Sequence, residues 1–274
     1  MKQSRGGKIA LCIVMLSIAC AVALPFYYII VNTFKTQQQT SESPLGLPSS
    51  LSLSNYRQVL DTVPIWHSMW NTLYVTVLSV LLMLLVGTMA AYGVVMRRTR
   101  SSRRVHLVLV MALAVPFQVI LVPLYRLFVS AHLVDSLNGL VILYSTGSIF
   151  CYFLIQGYMS TLPMELIESA RIDGAGEVRI FWRIVVPLIR PILVTVGVLQ
   201  TMWVWNDFLV ANTFIVSPQH YTLVMQVYSA VGEFTTDWPD VMTITVLSLI
   251  PITIFFVIMQ RQIVNGLVAG AVKG

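Results

Sequence analysis

Charge is scarce in this chain: of 274 residues only 10% are Asp, Glu, Lys or Arg, against 57% hydrophobic, whereas soluble domains carry about 25% charge. So little charge, with a mean hydropathy of +0.81, excludes a water-soluble globule. It equally excludes a disordered chain, whose signature is low hydrophobicity with high charge. Cysteine is nearly missing. Cys12, Cys20 and Cys151 sit in apolar runs without paired or metal-type spacing, which excludes a disulfide framework and a zinc site. Catalytic motifs are missing too: there is no G-x-x-x-x-G-K-[ST] phosphate loop, no H-E-x-x-H and no G-x-S-x-G, and His67, His106, His132 and His220 are scattered singly. The residues therefore point to no catalytic group, no metal site and no cofactor bound by this chain. Asp207 is the only acidic residue well inside an apolar run. Proton or ion coupling inside a membrane normally uses several buried charges, so a stand-alone secondary carrier stays an alternative without a positive signal.

Long apolar runs are what the chain has. A helix needs roughly 20 apolar residues to cross the hydrocarbon, and six such runs lie near Ile9 to Phe34, Ile65 to Met96, Val105 to Phe128, Leu137 to Gly157, Ile192 to Val216 and Val241 to Met259. The first follows Lys2, Arg5 and Lys8 like a signal peptide, but it outruns the short apolar core of such a peptide and is expected to stay as a span. The net charge of +6 is a matter of position. With the amino terminus inside, fourteen basic residues fall in inside segments and three, Lys35, Arg57 and Arg126, outside. The positive-inside rule then places both termini in the cytoplasm and turns the charge into a topology signal rather than a sign of nucleic-acid binding. The expected organisation is an all-α, six-span integral membrane protein: a cytoplasmic segment 1–8, a transmembrane domain 9–260 and a cytoplasmic tail 261–274.

Within the outer loop from Lys35 to Pro64 a short helix, Asn55 to Leu60, is expected with Ser54 as its cap. Gly87 and Ala91, with Ala90 and Gly93 nearby, make a small-residue face suited to close helix packing, read as dimer-type. Pro116 and Pro123 should kink or break the third run. Gln118 between them suggests a cavity wall rather than lipid, and a structural kink alone is equally compatible with the pattern.

The segment 161–190 is far longer and richer in mixed charge than a helix connection needs. Thr161 and Pro163 are helix starters and Gly174 and Gly176 helix stops, so a short amphipathic helix over Met164 to Asp173 is expected. Gly174 should take a positive φ. A second helix over Glu177 to Val186 follows, ended by Pro187. Such a knob can lie on a membrane surface or enter a partner's groove.

Here the sequence resembles a family. Glu168, Ser169 and Ala170, then Asp173 and Gly174, then Ile184, Val186 and Pro187 are similar to the "EAA, three residues, G, nine residues, I-x-L-P" loop of ABC importer membrane subunits, with Ser169 and Val186 as small departures. Asn55-Tyr56, Trp205-Asn206-Asp207-Phe208 and the Gly266 to Gly274 tail extend the resemblance to sugar importer permeases of the maltose-permease type, in particular their second membrane subunit. The resemblance implies a type I importer permease fold in a bacterial cell membrane. It also implies coupling through loop 161–190 to two separate ATPase subunits, which bind the ATP and magnesium. A second, homologous permease and an extracytoplasmic solute-binding protein complete the assembly. The implied substrate is a sugar, with glycerol phosphate or a polyol as the alternative. On a helix, Trp203, Asn206 and Asp207 would share a face, joining an aromatic plane to hydrogen-bonding groups as a sugar site does. The same residues, with Gln118, could instead bind a neighbouring helix or fill space. The small residues of the tail would make a weak helix able to enter a narrow cleft, and the resemblance takes it toward the ATPases.

Overall fold

The computed structural model describes the backbone of residues 5–97, 99–232 and 236–271 and the side chains of 8–9, 11–97, 99–232 and 236–262. Lys2, Arg98, Glu233 and the last three residues of the tail lie outside the described residues. All regular elements among the described residues are helical, since a helix satisfies its backbone hydrogen bonds within itself and so tolerates hydrocarbon. The helices fall into two compact units, Met1–Ser68 with Leu223–Pro251 and Met69–Thr222 with Ile252–Gly274.

The first unit holds α1 (Arg5–Asn32), α2 (Gln37–Glu42), α3 (Ser54–Thr62), the start of α4 (Ile65–Arg97), α14 (Leu223–Ser229) and the first part of α15 (Trp238–Ala271). Apolar side chains all round α1, among them Ile13, Leu16 and Val22, are exposed, as befits a lipid-facing span. Its end is fixed by a polar junction. The Asn55 amide donates to the carbonyls of Thr33 and Lys35 at 2.8 Å, and Thr33 and Tyr56 share a hydroxyl contact of 3.0 Å. The buried Lys35 ammonium donates to the Ser43 carbonyl at 2.8 Å. This gives Asn55-Tyr56 a local reason: it ties α3 to the exit of α1. Ser54, expected as the α3 cap, is instead the helix's first residue, and Leu53 precedes it with no side-chain bond. The helix α2 was not expected, although Thr36 and Gln39 form a capping box of a kind legible in sequence.

The second unit holds the rest of α4, α5 (Arg100–Leu113), α6 (Phe117–Ser130), α7 (Leu137–Ser145), α8 (Ser148–Met159), α9 (Glu165–Ile172), α10 (Glu177–Ile180), a π turn (Phe181–Val185), α11 (Val186–Leu188), α12 (Arg190–Trp205), α13 (Leu209–Phe214) and the end of α15. Among the described residues of the chain, four helical stretches, Leu11–Asn32, Ile65–Arg97, Leu137–Met159 and Trp238–Gln262, are long and apolar enough to cross a membrane. Two bent pairs, α5 with α6 at 98° and Glu177–Leu188 with α12 at 75°, raise the number to six if each is one span. The first bend falls at Ala114 to Pro116, where the proline lacks an N–H and disfavours helix in the residue before it; Pro123 stays inside α6. The fifth apolar run is corrected. Its helix stops at Trp205, and the chain breaks over Asn206 to Phe208 before α13.

The small-residue face of α4 packs closely within the chain at Gly87. A Cβ on Gly87 would lie 2.9 Å from the Ser148 carbonyl oxygen and from the Tyr152 nitrogen of α8, whereas Gly93 has open space. The α15 backbone stays helical to Ala271, so the first part of the tail prolongs the last span instead of forming a separate helix.

Candidate functional site

Loop 161–190 folds as two helical pieces turned on one glycine. The α9 helix runs from Glu165 to Ile172, slightly shorter at both ends than expected, and Glu165 and Glu168 in its first turn suit the helix dipole. Gly174 has φ +77°. The Ala175 N–H bonds the Ala170 carbonyl at 2.9 Å and the Gly174 N–H bonds that of Arg171 at 3.0 Å. These are the two crossed bonds of a Schellman ending. Beyond Gly176 the chain is helical again from Glu177 to Leu188, with π geometry over Phe181–Val185.

The turn brings distant residues onto one groove. Ser169 and Ala170 from α9, Asp173 directly after it, and Ile184 and Pro187 from the second piece line a cavity of about 440 Å3, with Arg183 among its walls. Of the expected loop residues, Glu168 is exposed on α9 outside that lining, and Gly174 makes the turn without lining it. Ile167, Ile180 and Val185 are fully buried and hold the two pieces to the unit.

Glu177 was not singled out from the sequence, yet it is the staple of the loop. Arg171 meets it in an ion pair of 3.0 Å, and the Tyr92 hydroxyl of α4 donates to its other oxygen. The Tyr92 hydrogen bond, with Arg171 close by, holds the Glu177 carboxyl below its ordinary pKa. Tyr92 also packs edge-on against Phe181 at 5.2 Å. Arg97, Thr99, Ser102, Arg171 and Glu177 line one cavity of about 480 Å3, so the α4–α5 corner and loop 161–190 are at the same end of this unit. At another place in the unit, the Asn71 amide donates to the carbonyls of Gln219 and Tyr221. There Asp135, a left-handed residue at φ 57°, accepts from the N–H groups of Val216 and Ser217, at 3.0 and 2.9 Å, and from the Ser217 hydroxyl. Burial raises its pKa, but these hydrogen bonds outweigh it and hold the carboxyl well below the usual range.

The break after α12 changes the reading of Asp207. Trp203 and Asp207 do not share a regular helical face, because the helix ends between them. They meet instead at Tyr144, a buried α7 residue that the sequence did not single out. Its hydroxyl donates to Asp207 at 2.8 Å, and its ring meets Trp203 edge-on at 5.7 Å. The same carboxylate oxygen accepts from the N–H groups of Val210 and Ala211, at 2.9 and 3.2 Å, so it caps α13 and its burial is compensated. The exposed Asn206 donates to the Met202 carbonyl at 2.8 Å. Trp203 also lines a cavity of about 570 Å3 at the α5–α6 bend, with Phe117, Thr146, Phe150 and the buried Gln200. Gln118 is exposed in the first turn of α6 and is absent from that lining. Among the described residues no group of His, Cys, Asp and Glu could hold a metal ion.

Membrane-length helices, two sharply bent helix pairs, an aromatic cavity beside one bend and a glycine-turned helix pair with a groove form a transport permease, a chain that makes a path across a membrane. This one belongs to the family of the binding-protein-dependent transport system inner membrane component, whose model matches residues 83–268. It is 34% identical over 250 residues to AmyC, a probable starch degradation products transport system permease protein of Thermoanaerobacterium thermosulfurigenes, covering 91% of each chain. To the melibiose/raffinose/stachyose import permease protein MelC of Bacillus subtilis it is 32% identical over 260 residues, covering 94% of each. The fold is that of a type I ABC importer permease. A chain of a bacterial ABC transporter involved in import of the acidic polysaccharide alginate superposes with a TM-score of 0.84 at 22% identity, over 95% of this chain and 99% of that one.

Proposed function

We propose that this inner-membrane component is a sugar permease, one half of the translocation path of an ATP-driven importer. The reading rests above all on the groove of loop 161–190, where Ser169, Ala170, Asp173, Ile184 and Pro187 converge. A chain whose sequence holds no phosphate loop and whose inner face carries a rigid, glycine-turned helix pair takes its energy from outside itself. Two ATPase subunits would supply the ATP and magnesium sites, and their approach would move the helix pair and rock the span against a homologous second permease. Glu168 offers its charge on the exposed face of α9. A solute-binding protein would deliver substrate at the outer face, and both termini would be cytoplasmic, in line with the basic residues crowded into the inner segments. The tail from residue 261 would reach toward the ATPases.

Support for sugar comes from AmyC and MelC, which are named for the transport of starch degradation products and of melibiose, raffinose and stachyose, and from the aromatic cavity, where Trp203 and Phe150 offer planes for C–H faces and Gln200 and Thr146 offer hydrogen bonds. Asp207 and Asn206 would then act by shaping the break under that cavity, and Gln118 would face the second permease or the path. The test is uptake of labelled oligosaccharides, glycerol phosphate and polyols by the complete complex in liposomes containing ATP. Saccharide uptake that depends on the binding protein is expected, with Trp203→Ala weakening apparent affinity. Uptake of only the other solutes would overturn the sugar reading. A reporter after Gly274 should read cytoplasmic, and one within 217–240 external.

A further inference from the structure

We propose that the corner between α4 and α5 is a binding site for the headgroup of an anionic phospholipid. Arg100, Arg103 and His106 line a concavity of about 370 Å3 together with Thr99, Ser102 and Gln156. The ion pairs among the described residues are Arg171 with Glu177 and His220 with Asp135, so neither arginine has a carboxylate in contact. Both are exposed. Two guanidinium groups around one small concavity repel one another, and that arrangement is stabilised by an anion with several acceptor oxygens; the His106 ring beside them is hydrogen-bonded through Nδ1 to the Tyr152 hydroxyl at 2.7 Å. The hydroxyls are held in place by a capping box, in which Thr99 Oγ1 accepts from the Ser102 N–H at 3.2 Å and Ser102 Oγ accepts from the Thr99 N–H at 3.0 Å.

What selects a lipid over a free anion is the surface that continues from the concavity. Spaced by three and four residues along α5, Arg100, Arg103, Leu107 and Met111 share a helical stripe, and Leu107 and Met111 are more than half exposed. The stripe passes from cationic to apolar within three turns, which is the polarity profile of a phospholipid lying along a span. The site is at the end of the unit that carries loop 161–190, because Thr99 and Ser102 also line the cavity shared with Arg171 and Glu177. A headgroup there would stand near the Arg171–Glu177 pair that fixes the loop.

The experiment uses the full chain assembled with its partner subunits in nanodiscs of phosphatidylcholine containing phosphatidylglycerol, with retained lipid counted by native mass spectrometry. The intact complex should enrich phosphatidylglycerol. Each cation removed near the membrane surface costs about fivefold in affinity, so Arg100→Gln with Arg103→Gln should weaken the enrichment roughly 30-fold. The pair Arg100→Lys with Arg103→Lys should retain most of it, which separates loss of charge from loss of fold. Arg57→Gln with Arg126→Gln should leave it unchanged. Unaltered enrichment in the double Gln variant would overturn the proposal. Displacement of the lipid by excess inorganic phosphate would overturn it in favour of a site for the free anion. Loss of the ATPase subunits from the double Gln variant with enrichment intact would overturn it in favour of a protein interface. Transport by the control pair at the intact rate keeps this test apart from the sugar reading, which can fail without touching it.

Discussion

Replacing Gly174 separates two reasons for a glycine in loop 161–190. A Cβ there meets nothing within 4 Å, so in the chain by itself a side chain is opposed only by the backbone at φ +77°. For an ordinary L residue the left-handed region costs about 1–2 kcal/mol. Removing glycine's extra freedom in the open state returns about 0.4–1 kcal/mol. Gly174→Ala should therefore shift the turn by about 1 kcal/mol, roughly fivefold fewer loops in the turned form, and Gly174→Val, β-branched and worse at positive φ, by about 2 kcal/mol or more. Asparagine tolerates this region, so Gly174→Asn should stay near the native level. Two amides report the turn directly, those of Gly174 and Ala175, whose partners are the Arg171 and Ala170 carbonyls. Hydrogen exchange at these amides should speed up in the order Asn, Ala, Val. Transport per ATP hydrolysed by the assembled importer should fall in the same order, with the spans still inserted. The backbone argument is refuted if Asn impairs coupling as much as Val does. A partner surface pressed against the glycine would then be the cause.

Other outcomes follow from the same contacts. Gly87→Leu should drive α4 from α8, because even a Cβ comes within 2.9 Å of α8 backbone; a loss of about 1–3 kcal/mol would appear as a lower melting temperature of the purified chain. Tyr144→Phe removes one of three hydrogen bonds to Asp207 and should cost about 1.5–3 kcal/mol, read by thermal unfolding, with Asp207→Asn no worse if the two backbone donors carry the cap. Asp135 has a depressed pKa, so its contribution is present above about pH 4, the ordinary carboxylate value, and is lost only as the pH falls from there through the lower folded value. Asp135→Asn should flatten that acid limb of the stability profile and leave the neutral-pH unfolding temperature lower.

The membrane class, the approximate spans and the loop were legible in the sequence because each depends on neighbours along the chain. Hydropathy adds up over a run such as Ile65 to Met96. The positive φ of Gly174 follows from a helix that must end between Asp173 and Gly176. The break at Pro116 follows from the chemistry of one residue. What the tertiary structure decided is of another kind. Ser169 and Pro187 share a groove because the chain doubles back at Gly174, which no local pattern sets. The fifth run ends at Trp205 although its hydropathy continues, because Asp207 finds the Tyr144 hydroxyl and two backbone donors across the break. Tyr92, Tyr144 and Gln200 look like ordinary members of apolar runs, and Glu177 and Asp135 like solvated charges. Their roles arise from partners 85, 63, 49 and 82 residues away for the Tyr92–Glu177, Tyr144–Asp207, Gln200–Cys151 and Asp135–Ser217 contacts. Periodicity and hydropathy are read along the chain, whereas a buried polar group is satisfied by whatever the fold carries to it.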